Sequence, residues 1–326
     1  MNLLNDIYYQ TDYAQLYADK NASVFTFKYC DGDSVFSNVA IKRPITHIGS
    51  KKCADIYYDL ETPYGYGGIY TNTDNYNFIE QAYSAYKTQC LKEKIIAEFT
   101  RFHPFNDFSQ KHSNRFDFLA ADRAVVVVDL KTNREARWAQ YKPNTRNILR
   151  KCTKELVFQE SQNISEFEKL YKKTMLKNNA NDFYYFNTQY YRDLLNIDGV
   201  HLYQVSVGKT VIAMAFFMFG KELAHYHLSA NNTEYLKLNG NYFMLDQAFN
   251  EAQKRRLTSF MLGGGRSRDL NDSLLQFKKK FSKSTKQFYI AGIKHNEIVY
   301  NEYITQWEQM SSNKIKYFLK YRLGED

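Results

Sequence analysis

Short strand patterns and helix patterns alternate along the whole chain, and this alternation limits the folds that the chain can adopt. The predicted strands are Ser23–Tyr29, Ser34–Lys42, Asp55–Asp59, Ile95–Phe99, Arg123–Leu130, Leu156–Gln159, His201–Val207, Thr210–Phe219, Leu223–Ser229, Ser259–Leu262 and Gln287–Ile293. The predicted helices are Asp74–Lys92, Asn133–Tyr141, Asn144–Lys151, Ser165–Asn178, Asn241–Arg256, Asp272–Phe281 and Glu297–Met310. The succession predicts the α/β class with mixed sheets.

The succession of strands, helix and strand occurs twice, which favours two domains. A chain of 326 residues is also longer than most single domains. We therefore predict one domain over residues 1–150 and a second over residues 151–326. Helix starts are predicted at Asp74 and at a capping box formed by Ser165 and Glu168.

Charge and cysteine content restrict the class of partner and the compartment. The net charge of +9 is compatible with RNA, nucleotides, phosphorylated glycans or an anionic surface. The four cysteines show no Cys-x-x-Cys spacing, which is typical of a reducing compartment. No apolar run is long enough to span a bilayer. We expect a soluble, cytoplasmic protein without stable membrane insertion.

The segment from Phe260 to Phe281 is the strongest single indication of a binding site. An apolar strand runs into Gly263, Gly264 and Gly265, and a helix start follows at Asn271, Asp272 or Ser273. Glycine lets backbone come close to a ligand because it has no Cβ. Lysines cluster in the helix that follows. The segment predicts a strand, a glycine loop and a basic helix that bind an anionic group.

Two histidines alternate along one predicted strand. His225 and His227 are two residues apart, so a regular strand places both on one face. They are interpreted as a pair that faces a cleft, as buried histidines with satisfied hydrogen bonds, or as a metal pair. The metal interpretation lacks a third ligand, and we predict no metal site.

Two loops at strand ends in the first half are further candidates. Tyr64 and Tyr66 are interleaved with glycines and could form either a substrate lip or a plain turn. Arg101 and His103 follow a strand end, where site residues and surface turns are both common. The stripe formed by Arg146, Arg150 and Lys151 is typical of a solvated helix face.

Taken in chain order, five segments resemble the Fem-type aminoacyl and acyl transferases and related GNAT-like domains of cell-wall and surface-glycan biosynthesis. The segments are Asp59–Gly68, Glu98–Pro104, Tyr141–Lys151, Ala224–Ala230 and Leu262–Phe281. The resemblance implies tandem GNAT-like domains, and a C-terminal helix that packs back on the first domain. Residues 1–150 would form the acceptor side.

The resemblance also implies the activity. It implies an N-acyltransferase that moves an acyl or aminoacyl group from acyl-CoA or aminoacyl-tRNA to an amine. The acceptor would be a sugar nucleotide or a peptidoglycan precursor, with tRNA as a further partner. No permanently bound cofactor is implied. Leu238-Asn-Gly-Asn241 stands where an acyl-CoA pyrophosphate loop is expected, so both donors stay open.

The family pattern suggests roles for individual residues. His227 would assist proton transfer, and Lys278, in the Phe277–Lys278 pair, would contact donor phosphate or the developing charge. Arg266 would bind acceptor phosphate or carboxylate. The remaining binding residues implied are Tyr64, Tyr66, Arg101, His103, His225 and Phe277.

The alternative is a non-catalytic protein of the same fold. Such a protein would use its basic cleft to recognise nucleotide, glycan or RNA. Retention of His227, Arg266 and Lys278 together favours the enzyme, because a binding protein has no need for all three.

Overall fold

The computed structural model describes residues 1–19, 21–311 and 315–324. The strands are β1 (Ser23–Asp31), β2 (Ser34–Ile48), β3 (Lys51–Glu61), β4 (Tyr70–Thr71), β5 (Ile95–Arg101), β6 (Phe118–Asp129), β7 (Val157–Glu160), β8 (Val200–Val207), β9 (Thr210–Phe219), β10 (Leu223–Asn231), β11 (Ser259–Gly263) and β12 (Thr285–Lys294). The helices are α1 (Thr11–Gln15), α2 (Tyr76–Lys92), α3 (Phe108–Lys111), α4 (Arg134–Ala139), α5 (Pro143–Glu155), α6 (Ile164–Lys177), α7 (Thr188–Asn196), α8 (Gly240–Lys254), α9 (Ser273–Lys278) and α10 (Glu297–Met310).

The chain folds into two compact units. The central unit comprises Arg123–Lys286 with Met1 and Asn5–Ile7. The terminal unit comprises Asn2–Leu4 and the described residues of Tyr8–Asp122 and Gln287–Asp326. The chain passes from one unit to the other within β6 and again within β12.

The unit borders differ from the predicted ranges 1–150 and 151–326. Residues 123–150 belong to the central unit because β6 pairs with β11 and α5 packs against α8. Helix α10 belongs to the terminal unit, where it contacts β5. The assignment of the two ranges as separate functional domains stays a prediction.

In the terminal unit, one sheet is covered by a helix on each face. The strand order is β1-β2-β3-β5-β12, with β4 paired to β2. Ile95 packs with the apolar face of α2, and its neighbour Ile96 packs with α10. Successive strand residues point to opposite faces, so β5 is buried on both sides.

In the central unit, the strand order is β6-β11-β10-β9-β8-β7. Phe217 packs with α8 in the main core of this unit, together with Phe249 and Phe260. Its neighbour Phe216 packs on the other face, against Phe167 of α6. Strand β9 is therefore also buried on both faces, which matches its continuous apolar run.

Both units contain the same crossover. Strand β3 connects through α2 to the parallel strand β5, and β10 connects through α8 to the parallel strand β11. All other strand pairs given for the two units are antiparallel. The predicted α/β class with mixed sheets is confirmed.

Two predicted helix starts are wrong by one or two residues. Asn75, not Asp74, caps α2, and its side chain accepts a hydrogen bond from Phe78 N. Asn163 caps α6 and leaves Ser165 inside the helix, so the predicted capping box does not form. Asparagine caps helices as well as aspartate or serine does, and an asparagine stands one residue after Asp74 and two residues before Ser165.

No helix among the described residues combines the length and the apolar character that a membrane crossing requires.

Candidate active site

The parallel pair β10/β11 of the central unit opens at its carboxyl end. The pairing runs through Leu223/Ser259, Ala224/Phe260 and His225/Met261, and over the described residues it goes no further. Both strands carry a bulge just beyond this point, at Tyr226/Leu228 and at Met261/Gly263. Bulges bend strands and end pairing. Beyond this point the two strands no longer pair with each other over the described residues, and we call this end of the pair the opening.

Lys278 lies at this opening with its side chain buried. It is 7% exposed, and its Nζ donates a hydrogen bond to Gly264 O at 2.7 Å. A Cβ added to Gly263 would be 3.2 Å from Nζ, so glycine makes room for the ammonium group. Burial lowers the pKa of Lys278 to about 7, and the nearby carboxylate of Asp272 partly opposes this shift. The group therefore changes charge near neutral pH.

The glycine loop is held by Asp272, which is the N-cap of α9. One carboxylate oxygen accepts from Leu274 N and Leu275 N, and the other accepts from Arg266 N at 3.0 Å. A Cβ on Gly265 would overlap Asp272, at 2.5 Å from Oδ1. The predicted helix start is thus confirmed, and the cap fixes the loop that faces Lys278.

The bulge gives the two histidines different surroundings. His225 is buried, and its Nε2 lies 2.6 Å from Asp6 Oδ2. His227 is half-buried in the bulge, and its Nε2 lies 3.3 Å from the Tyr190 hydroxyl. The regular alternation from which one shared face was predicted is interrupted at His227.

The electrostatic surroundings keep His227 neutral. Burial lowers its pKa to about 3, and the neighbouring His225 adds to the shift. A neutral imidazole can still donate or accept a hydrogen bond, but it is a weak base at neutral pH. The proton-transfer role of His227 stays a prediction.

The other two predicted residues of the central unit differ in exposure. Arg266 is exposed, and its guanidinium donates to Asn178 Oδ1 at 3.0 Å. Phe277 is half-buried and packs edge-on against Tyr242 at 5.1 Å between ring centres. Arg266 is accessible to an anionic substrate group, whereas Phe277 contributes mainly to packing. Their binding roles stay predictions.

The remaining four predicted residues belong to the terminal unit. Tyr64 is half-buried, and its carbonyl accepts a hydrogen bond from the Tyr13 hydroxyl at 2.5 Å. The ring of Tyr66 contacts Tyr8 and Phe288 edge-on. The tyrosine loop is therefore packed on its own unit.

Arg101 and His103 lie at the end of the β3–α2–β5 crossover of the terminal unit. Arg101 donates to Glu61 at 3.1 Å and to the carbonyls of Thr62 and Pro63. His103 is fully buried, and its backbone N donates to Gly67 O at 3.0 Å. The guanidinium of Arg101 and the backbone N of His103 hold the loop that follows β3. Acceptor binding by these two residues stays a prediction.

Sequence reasoning missed two residues that hold the histidines. Tyr190 lies on α7, a helix that was not predicted although Asn187 caps it and Tyr190, Tyr191 and Leu194 have helical spacing. Asp6, which bonds His225, is remote in sequence. The helix had a usable signal, but a long-range aspartate partner had none.

Comparison with known proteins places the site in a known fold. Residues 130–279, less than half of the chain, match the family described as "Acetyltransferase (GNAT) domain". A comparison with curated protein sequences gives no match. The structure is similar to that of FemX, with a TM-score of 0.70 and 13% identity over 92% of this chain and 94% of that one.

Two further solved structures are similar at lower scores. The C-terminal domain of a proposed lysylphosphatidylglycerol synthetase from Agrobacterium fabrum has a TM-score of 0.55 and 14% identity, covering 94% of each chain. L-PGS from Bacillus licheniformis has a TM-score of 0.52 and 12% identity, covering 89% of this chain and 90% of that chain.

The predicted resemblance to Fem-type and GNAT-like proteins is confirmed. The matched region, residues 130–279, contains the β10–α8–β11 crossover, the glycine loop and Lys278. The chain thus carries a GNAT-type transferase fold, and the opening at the end of the parallel pair lies inside the matched region.

Proposed function

We propose that the central unit catalyses N-acyl transfer at the opening between β10 and β11. The donor is acyl-CoA or aminoacyl-tRNA, and the acceptor is an amine of a glycan or peptidoglycan precursor. The likeness to FemX and to a proposed lysylphosphatidylglycerol synthetase supports keeping the aminoacyl donor. The observation that carries the proposal is the buried ammonium of Lys278 beside Gly263 and Gly264.

The reaction requires stabilisation of one developing negative charge. The amine nitrogen attacks the donor carbonyl carbon, a C–N bond forms, and the carbonyl oxygen becomes an oxyanion. Collapse of this intermediate breaks the C–S bond of a thioester or the C–O bond of an ester. The leaving group takes up the proton that the amine loses. A preorganised cation close to the oxyanion lowers the barrier.

Lys278 has the properties that this role needs. A buried cation with few partners is costly, so its retention favours a functional role over a stabilising one. Its pKa of about 7 means that a substantial fraction is charged at neutral pH. An approaching oxyanion would favour the charged form further. His227, which stays neutral, fits a hydrogen-bonding role rather than that of a base.

The test is a transfer assay with labelled acetyl-CoA and labelled aminoacyl-tRNAs as donors. Acceptors are an amino-sugar nucleotide and a nucleotide-linked peptidoglycan precursor, and label in the acceptor is measured. We expect Lys278→Met to lower turnover by roughly 10²–10³-fold, as loss of one oxyanion donor does. Lys279→Met, the adjacent lysine on the same segment, is the matched control and should keep wild-type turnover.

Two outcomes contradict the proposal. Wild-type turnover in Lys278→Met would show that Lys278 does not stabilise the oxyanion. Stabilisation of the protein by RNA or nucleotide, with no transfer from any donor, supports the non-catalytic alternative.

A further inference from the structure

A basic cleft lies in the central unit, and its residues have no part in the proposed reaction. Its volume is about 520 Å³, a size typical of small-molecule pockets. The cleft is formed by α4 and α5. It is lined by Arg134, Glu135, Trp138, Ala139, Arg146 and Arg150.

The charge of this cleft favours an anion. Three of its four charged lining residues are arginines. The acceptors of Arg146 and Arg150 are neutral, namely the carbonyls of Ala139 and Tyr141 and the side-chain oxygen of Asn147. Their positive charges are therefore not neutralised by these partners, and a phosphate could bind there.

Arg134 offers a further donor. Its terminal nitrogen lies 3.4 Å from Asp246, but its Nε is buried and has no acceptor among the described residues. A buried N–H group without a partner is uncommon and indicates a missing acceptor. The side chain as a whole is 41% exposed, so its terminal N–H groups can reach a ligand oxygen in the cleft.

Trp138 supplies a planar surface in a fixed orientation. Its indole N–H donates to Asp246 Oδ1 at 2.7 Å. The guanidinium of Arg134 lies over its ring, 4.5 Å from the ring centre. Aromatic rings and guanidinium planes are the groups on which nucleobases stack.

We propose that this cleft binds a phosphate-bearing nucleotide, with the base against the Trp138–Arg134 pair and the phosphate on Arg146 and Arg150. The chemistry is shared by a free nucleotide and by a nucleotide within single-stranded RNA. This proposal is an alternative to the predicted solvated helix face of Arg146, Arg150 and Lys151. The inference does not depend on acyl transfer at Lys278.

Binding can be measured on the full chain with two probes, a fluorescent ADP analogue and a short fluorescent single-stranded RNA. We expect Arg150→Gln to weaken binding by about tenfold, since it removes one charge-assisted contact. Lys154→Gln makes the same charge change on the same helix outside the cleft, and should leave binding unchanged.

Tryptophan fluorescence gives an independent readout. The chain has two tryptophans, and the other, Trp307, is buried in the core of the terminal unit. Nucleotide binding should quench the fluorescence of Trp138. Trp138→Leu should abolish this quenching and weaken the binding of both probes. Arg150, which is exposed, keeps the test valid if Trp138→Leu does not fold.

The outcomes separate the two sources and the two proposals. Tighter binding of the RNA identifies RNA as the source, and tighter binding of the ADP analogue identifies a free nucleotide. The inference is overturned if neither probe binds, if Arg150→Gln binds like wild type, or if inorganic pyrophosphate binds as tightly as both. Lys278→Met should bind both probes normally, so loss of transfer and loss of nucleotide binding are distinguishable.

Discussion

The two crossovers of this protein have the same connection but different ends. In the terminal unit, contacts between the chain segments continue past the β3/β5 pair. Thr62 N donates to Phe99 O, Gly67 N donates to Arg101 O, and Gly67 forms a parallel bridge with Phe102. In the central unit, pairing of β10 with β11 stops at His225/Met261 and both strands bulge. One crossover is closed by backbone hydrogen bonds, and the other is open.

The cations at the two ends differ in the same way. Arg101 has a carboxylate and two carbonyls as acceptors, so its charge and its donors are satisfied. Lys278 is more deeply buried and donates to one carbonyl, that of Gly264. The comparison teaches that one topology can end in a satisfied ion pair in one unit and beside a buried ammonium group with few partners in the other.

The largest expected effect tests the closed crossover. Asp59 of β3 is fully buried and accepts from Arg43 Nε at 3.0 Å, Arg322 Nε at 2.7 Å and Tyr321. The two arginines lower the pKa of Asp59 against the opposing effect of burial. Asp59→Ala removes the buried carboxylate that both arginines share, and we expect about 3–5 kcal/mol loss of unfolding free energy.

Chemical denaturation measures this change. Asp55→Ala, an exposed aspartate on the same strand, is the control and should shift stability little. A loss of transfer per folded Asp59→Ala molecule would contradict the structural role of this network.

The next largest effect concerns Gly68, in the loop that follows β3 of the closed crossover. Gly68 has φ +91°, and a Cβ there would be 2.7 Å from Thr100 Cγ2 and 2.8 Å from the Phe102 ring. We expect Gly68→Ala to destabilise the protein by about 2–3 kcal/mol through backbone strain and overpacking.

Gly32→Ala is the control that separates backbone strain from the steric overlap expected in Gly68→Ala. Gly32 also has positive φ, at +55°, but a Cβ there meets nothing within 4 Å. Thermal or chemical unfolding should therefore show a clearly smaller loss for Gly32→Ala. Equal losses would mean that the loop around Gly68 is not held as described.

A pH effect sharpens the description of the open crossover. The folded pKa of Lys278 is lowered to about 7, whereas the unfolded chain keeps this proton until about pH 10.4. Between these values the unfolded state binds more protons, so stability rises with pH. The difference in unfolding free energy between wild type and Lys278→Met should rise by up to about 1.4 kcal/mol per pH unit from pH 7 to 10. A constant difference would mean that the ammonium is well solvated.

The smallest effect concerns the hydroxyl that contacts His227. Tyr190→Phe removes the 3.3 Å contact to Nε2 and leaves the ring that stacks on Phe186. We expect turnover to fall by up to about tenfold, the equivalent of one neutral hydrogen bond. Tyr184→Phe, an exposed tyrosine before the same helix, is the control. An unchanged rate in Tyr190→Phe would mean that the Tyr190 hydroxyl does not orient His227 for the reaction.

The sequence was sufficient for features that depend on local chemistry. Hydrophobic periodicity located most strands and helices, and the position after the glycine loop narrowed the start of α9 to Asn271, Asp272 or Ser273. The family pattern singled out Lys278. None of these predictions required knowledge of distant residues.

Long-range contacts explain what could not be predicted. Closure of one crossover depends on the hydrogen bonds of Thr62 and Gly67 to the strand β5 and its extension. The bulge at His227 is a property of pairing with β9. The contact of Trp138 with Asp246 joins two helices about a hundred residues apart in sequence. Local patterns carry no information on such partners.

The central claim is that the open crossover performs chemistry and the closed one provides stability. The most direct test compares Lys278→Met with Arg101→Met for transfer per folded molecule and for unfolding free energy. The account predicts that Lys278→Met loses transfer by roughly 10²–10³-fold and is at least as stable as wild type at neutral pH. Arg101→Met should lose stability and keep transfer. Full transfer in Lys278→Met, with loss of transfer in stably folded Arg101→Met, would contradict the account.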